Sequence, residues 1–288
     1  MKNPVLVTGA TSAVGRNVVR SLAERGTRVR AMVQDMRKVE DAGLPGVDIR
    51  IGDLRDEEQV RTALRGVDKV YLITPLTKEM PDMTRMIVRA AEEEGVRKIV
   101  RQSVIDCGVD RRFEFWKKHR ECENIVKRSS MQTTCLRLNQ LMQSFIKFNG
   151  ASVKAEGVIR KPCGNGFTSY LDAYDAASVA ATVLDGNWYD GKTFTLTGPE
   201  PLSNDEVAME LAKATGKDVR YVDIDPATAR KELIDAGYGT WYADGMMEMY
   251  KVEMESYASM VTCDVERITG CPPRRFGQFA KENASAFR

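Results

Sequence analysis

Val5-Leu6-Val7-Thr8-Gly9-Ala10-Thr11-Ser12-Ala13-Val14-Gly15 runs straight from an apolar strand into an apolar helix, and the rest of the chain is read outward from it. Val5 to Val7 form a short continuous apolar run after Pro4, the pattern of a strand covered on both faces. From Val14 the period changes: Val14, Val18 and Leu22, with Val19 and Ala23 beside them, make an i, i+4 stripe that Gly26 ends. A strand, a tight glycine turn and a helix N-terminus together form an anion site, because unpaired N–H groups and the positive end of the helix dipole point outward. A pyrophosphate fits such a turn. The spacing from Gly9 to Gly15, with Ser12 between, meets only half of the dinucleotide fingerprint G-x-G-x-x-G, and the strand, turn and helix context adds to its weight. A plainer alternative, in which the two glycines only allow a sharp turn and close helix packing, stays open.

Strands and helices alternate after this opening. Strand patterns cover Val29–Val33, Val47–Ile51, Lys69–Pro75, Lys98–Val104 and Thr133–Leu138, and helix patterns cover Asp56–Leu64, Met83–Ala91 and Arg112–Ser129. Each parallel pair needs a crossover, so the alternation predicts an α/β fold with a Rossmann-type doubly wound parallel sheet. Its ligand crevice lies at the carboxyl ends of the strands, which lines up Gly9 to Val14, Gln34, Asp53, Thr74-Pro75, Ser103 and Arg137 to Asn139 along one rim. The second half has more turns, with a helix expected at Asp172–Leu184, a strand at Phe194–Thr197 and a helix opening at Ser203. The expected division is a dinucleotide-binding domain over 1–150 and a smaller mixed substrate-side domain over 151–288, partly interleaved with the first.

Composition excludes several classes. Lys and Arg number 43 against 41 Asp and Glu, a formal net charge of +2 with the signs interspersed, so nothing points to nucleic acid. No run approaches the ~20 apolar residues of a membrane span, and Met1-Lys2-Asn3-Pro4 leads directly into the first strand, so the expectation is a soluble cytoplasmic protein without membrane contact. Six cysteines without a C-x-x-C pair, together with a single histidine, assemble no zinc pattern. Cys135, in an apolar run, reads as a small buried hydrophobe.

Taken together, Val7-Thr8-Gly9-Ala10-Thr11-Ser12-Ala13-Val14-Gly15, Gly52-Asp53-Leu54, Leu196-Thr197-Gly198-Pro199 and Thr269-Gly270-Cys271-Pro272-Pro273-Arg274 resemble the NmrA-like branch of the atypical short-chain dehydrogenases, which includes triphenylmethane reductase and the type 2 quinone oxidoreductases. The resemblance implies an NAD(P)(H) cofactor. It gives Gly9, Thr11, Ser12, Ala13, Val14 and Gly15 the pyrophosphate and adjoining ribose, Asp53 and Leu54 the adenine, Thr74, Pro75 and Ser103 positions further along, and Asn139 a place beside the nicotinamide. Ser12 and Leu138 stand where the family pattern has glycine and proline. At the end of the second strand, Gln34 replaces the arginine that often meets a 2′-phosphate, and Asp35 would repel one, which tilts the choice slightly towards NAD(H). Arg37 and Lys38 would restore a phosphate site, or are ordinary solvated loop residues.

No tyrosine has lysine four residues on, so the usual short-chain dehydrogenase acid pair is missing. The helix pattern from Arg112 to Ser129 carries His119 and Glu123 instead, at i, i+4 on one face, as in the family. The carboxylate is expected to hold the imidazole in one tautomer, raise its pKa and make it a proton donor; a surface helix pair is the alternative. Phe113, Phe115 and Trp116, with Tyr170, Tyr174, Trp241, Tyr242, Met246, Met247 and Met249, could line a flat pocket or pack a core. The family analogy implies a reductase of a quinone-like or polycyclic aromatic small molecule, with a tailoring step in aromatic polyketide metabolism as its furthest extension. The alternatives are a non-catalytic dinucleotide sensor that binds a regulatory protein, and a cofactor-assisted dehydration or isomerisation.

Overall fold

A computed structural model describes residues 3–37, 39, 47–105 and 113–288. Lys38, Cys107 and Arg112 lie outside the described residues. The chain divides into two compact units, the first comprising Met1–Arg111, Phe115–Arg137 and Ala173–Thr195, the second Arg112–Glu114, Leu138–Asp172 and Leu196–Arg288.

The first unit is built on strands β1 (Val5–Val7), β2 (Val29–Val33), β3 (Asp48–Ile51), β4 (Lys69–Leu72), β5 (Lys98–Val104) and β6 (Gln132–Leu138), with helices α1 (Ala13–Glu24), α2 (Glu57–Leu64), α3 (Met80–Glu93) and α4 (Glu114–Lys127) between them. Further along come α5 (Gln143–Glu156), β7 (Val158–Lys161), β8 (Phe167–Thr168), α6 (Ala173–Asp185) and β9 (Thr193–Leu196). The seven-stranded sheet has the order β3-β2-β1-β4-β5-β6-β9. Val5 pairs in parallel with Val29 on one side and with Lys69 on the other. Strand order therefore reverses between β1 and β4, the position at which a doubly wound sheet opens a crevice at its carboxyl edge. All three β1 side chains are buried, as a strand covered on both faces requires. One core cluster joins Leu6, Val70 and Leu72 of the sheet to Val60, Leu64 and Ile87 of the covering helices.

Against a boundary at 150, residues 138–150 group with the second unit and 173–195 with the first. The reason is visible in α6, whose buried face is largely alanine, at Ala173, Ala176, Ala177, Ala180 and Ala181. These small side chains let it pack closely on α1, and β9 then joins the sheet edge beside β6.

In the second unit β10 (Leu202–Ser203), α7 (Asn204–Thr215), β11 (Arg220–Asp223), α8 (Pro226–Asp235), α9 (Thr240–Met254), α10 (Asp264–Thr269) and α11 (Phe276–Glu282) complete the chain. β7 pairs in parallel with β11, and β8 pairs antiparallel with β10. Ser203 and Glu206 form the reciprocal capping box at the start of α7. Phe145 meets Tyr170 and Phe276 edge-on, with ring centres 5.1 and 5.3 Å apart, at the heart of this unit's core.

Candidate functional site

The turn after β1 is shaped by two glycines for two different reasons. Gly9 has φ +58, a left-handed conformation that side chains rarely adopt. Gly15 is required by contact: a Cβ there would stand 2.2 Å from the Gly9 carbonyl oxygen, so the helix begins directly against the turn. The Ser12 N–H donates to Gly9 O at 2.9 Å, and the Ser12 hydroxyl accepts from the Gly15 N–H at 3.0 Å. Ser12 is thus the N-cap of α1, in extended backbone at φ -71, which explains why it can stand where the family pattern has glycine. Among the described residues no acceptor meets the N–H groups of Ala13 and Val14. Those two donors and the positive helix end remain for an anion.

Thr8, which the sequence did not single out, fixes the neighbouring edge. Its hydroxyl donates to Ile73 O and accepts from the Ile73 N–H, both at 2.8 Å, tying the end of β1 to the segment that carries Thr74 and Pro75. The signal available was its place, the polar residue closing an apolar strand.

Gln34 and Asp53 come together at the ends of β2 and β3, with Gln34 Nε2 3.4 Å from Asp53 Oδ2. Arg55 holds Asp53 through its backbone N–H, Nε and Nη2, which keeps the carboxyl below the usual range despite partial desolvation. Arg37 lies in a two-pronged contact with Asp35 at 2.8 to 3.1 Å, so the expected repulsion by a bare Asp35 carboxylate is replaced by a local ion pair. Leu54, expected near the adenine, is buried in the core.

Asn139 in the second unit is 2 % exposed, and its amide is engaged on every side. Nδ2 donates to Ser169 O and Ala258 O, both at 2.9 Å, while Oδ1 accepts from the Gln140 N–H at 2.8 Å. It works here as a clamp between three backbone segments.

Further along the sheet rim, β5, α4 and β6 assemble a charged cluster. Glu123 is buried and accepts from Ser103 Oγ at 2.7 Å, from Arg137 Nε and Nη2 at 2.9 Å each, and from Lys127 Nζ at 3.2 Å. The expected one-to-one pairing with His119 is therefore not the carboxylate's main engagement, and the Ser103 hydroxyl is committed to Glu123. His119 Nδ1 instead faces the Arg101 guanidinium, 3.5 Å from Nη1 and 3.4 Å from Nη2. Burial and then Arg101 lower the imidazole pKa to about 3, with Glu123 pulling weakly the other way. The expected rise is reversed, because burial disfavours the charged ring and the cation on β5 adds to that, together outweighing the carboxylate one turn along α4.

The aromatics also divide. Phe113, Phe115, Trp116 and Tyr170 are buried, whereas Tyr238 and Tyr242 stack at 5.0 Å and 17° with Phe148 6.1 Å from Tyr238. Lys147 lies over both Phe148 and Tyr238.

The profile of the NmrA-like family matches residues 1–268. The chain belongs to the NmrA-like family. Among its relatives, an NAD(P)H azoreductase of Xenophilus azovorans is 34% identical over 283 residues, covering 98% of this chain and 99% of the relative. Among solved structures, the NADPH-dependent quinone oxidoreductase of Escherichia coli in complex with NADPH superposes with a TM-score of 0.84 at 23% identity, over 96% of this chain and 99% of the other. Triphenylmethane reductase of Citrobacter sp. superposes with a TM-score of 0.85 at 22% identity, over 98% of this chain and 99% of the other. These two likenesses show the fold, a Rossmann-like architecture. Among the described residues no His, Cys, Asp and Glu group of metal-binding size occurs, and no helix is long and apolar enough to cross a membrane.

Proposed function

We propose that this NmrA-like chain is an NAD(P)H-dependent reductase that delivers hydride to a quinone-like, azo or polycyclic aromatic acceptor. The observation that carries the reading is the Gly9–Gly15 turn, where α1 starts directly against the end of β1 and two N–H donors at the helix N-terminus are left for a pyrophosphate. The name of the 34% identical azoreductase supports the acceptor class.

A bound nicotinamide dinucleotide would supply the hydride. The chain's own residues then have two tasks. The Ser12 cap and the Ala13 and Val14 N–H groups bind and orient a diphosphate. Thr8 keeps Thr74 and Pro75 in fixed register beside the turn. An acceptor already polarised by conjugation needs positioning more than strong acid catalysis, consistent with a histidine whose proton affinity is lowered. Gln34 at the end of β2 is neutral, which supports a slight preference for NADH, while the exposed Arg37–Asp35 pair neither repels nor firmly excludes a 2′-phosphate.

Mixing the protein with NADH or NADPH and a panel of azo dyes, benzoquinones, naphthoquinones and triphenylmethane dyes tests the proposal through loss of nicotinamide absorbance. Oxidation of NADH with at least one class is the expected result. Saturable cofactor binding without oxidation by any acceptor overturns it in favour of a dinucleotide sensor.

A further inference from the structure

Arg101 is fully buried on β5, and among the described residues it forms no ion pair. Its Nη1 donates to Gln102 O at 2.8 Å, and its Nε has no hydrogen-bond partner. A buried guanidinium left without a carboxylate is costly, so its placement asks for an explanation beyond packing. Both Nη atoms lie within 3.5 Å of one ring nitrogen, His119 Nδ1. A guanidinium only donates, so that nitrogen must carry the lone pair. The proton of a neutral imidazole then belongs to Nε2, for which the described residues supply no acceptor.

We propose that Arg101 is a positioning residue that fixes His119 as the neutral Nε2–H tautomer, making it a standing hydrogen-bond donor to the oxygen or nitrogen that gains electron density in the acceptor. This rests on the reductase reading for its substrate, though not for its geometry. Around the ring, Arg101 approaches from β5 and Glu123 from α4 itself, while Arg137 and Cys135 on β6 and Lys127 on α4 surround Glu123 rather than the imidazole. Arg137 and Lys127 offset the carboxylate that would otherwise draw a second proton onto the ring. A donor of this kind stabilises developing negative charge without itself changing protonation state, and the proton that completes the product comes from solvent. Turnover then carries no acid limb from histidine across the neutral range.

His119 is the single histidine of the chain, so protein labelled with 15N-histidine reports one ring. Two-bond 1H–15N spectra of the full-length protein, recorded from pH 8 to pH 5, should show a protonated Nε2 and an unprotonated Nδ1 throughout. In Arg101→Met the ring should lose its single tautomer and its pKa should rise from about 3 towards the ordinary value of about 6.5 without reaching it, since burial remains, and an acid-dependent limb should move up into the low end of its kcat profile. Arg101→Lys, which keeps a donor cation, should restore the wild-type spectrum at least in part. A wild-type ring protonated on Nδ1, or an imidazolium already at pH 6, overturns the proposal, and neither result needs a variant that folds. If the tautomer is as stated but no acceptor is reduced, the reductase reading fails alone. If acceptors are reduced but His119 titrates near 6.5, the Arg101 proposal fails alone.

Discussion

Arg101 and Lys161 are both buried cations, one on β5 of the first unit and one on β7 of the second, and their surroundings differ in kind. Lys161 Nζ lies 2.5 Å from Glu253 Oε1, which also accepts from Tyr170 OH at 2.5 Å and Asn204 Nδ2 at 3.0 Å. Burial pushes the Glu253 carboxyl up, but Lys161 and these bonds outweigh it and hold it below the usual range. The same exchange overcomes burial at Lys161 and raises its pKa. The cluster joins β7, the segment at Tyr170, the start of α7 and the end of α9. Among the described residues Arg101 has no such carboxylate, and it touches a histidine instead. A matched buried charge holds elements in place, whereas an unmatched one leaves its field to act on a neighbour.

The largest effect should come from breaking the matched pair. Lys161→Met leaves Glu253 buried and unpaired and should cost about 3–5 kcal/mol in urea unfolding. Adding Glu253→Leu should return much of that loss, since replacing both charges with apolar groups removes the desolvation cost. Arg101→Met should be near neutral in the same measurement, because no ion pair is lost. Equal losses for the two single variants would erase the contrast between them.

Next in size is the cradle, where a change should strike binding more than folding. Gly15→Ala forces its methyl against Gly9 O and must move the first turn of α1. NADH affinity measured by calorimetry should fall at least tenfold, or about 1.4 kcal/mol, while Lys161→Met protein that remains folded should bind NADH normally. Unchanged affinity in Gly15→Ala would remove the anion role from this turn.

A smaller shift should follow from Gln34→Arg, which places a guanidinium at the end of β2 beside Asp53. The ratio of NADPH to NADH affinity should rise several-fold, in keeping with about 1 kcal/mol for an exposed charge contact. An unchanged ratio would place 2′-phosphate selection elsewhere.

The sheet was readable because its strands are short, apolar and separated by helices that end at glycine, so local pattern and tertiary packing agree. The glycine turn was readable for the same reason. The second unit was readable only in part: the helix opening at Ser203 is α7, but α9 has half-buried Trp241, Tyr242, Met246, Met247, Met249 and Tyr250 on nearly every side, so no apolar stripe marks it in the sequence. Site chemistry was legible only where partners are close in the chain. His119 and Glu123 share a helix face, as their spacing requires, but the electrostatics are decided by Arg101, Ser103 and Arg137 on two strands. Arg101 in particular sits in an ordinary strand pattern, and its lack of a carboxylate among the described residues is a property of the fold.

The smallest expected effect tests that cross-strand control through stability alone. The folded imidazole has its pKa lowered to about 3, below the ordinary value of about 6.5 in an unfolded chain. As pH falls through 6.5 the unfolded chain takes up a proton that the folded chain refuses, so the contribution is complete above 6.5 and is lost progressively towards pH 3. The slope has a ceiling of about 1.4 kcal/mol per pH unit, and partial exposure of His119 keeps it lower. Because the chain has no other histidine, the difference in slope between wild type and His119→Gln from pH 7 to pH 5 isolates this one ring. Wild-type protein should lose stability faster than the variant as pH falls in that window. Parallel curves would mean that neither burial nor Arg101 holds the imidazole neutral, and the unmatched cation would then leave no mark on its neighbour.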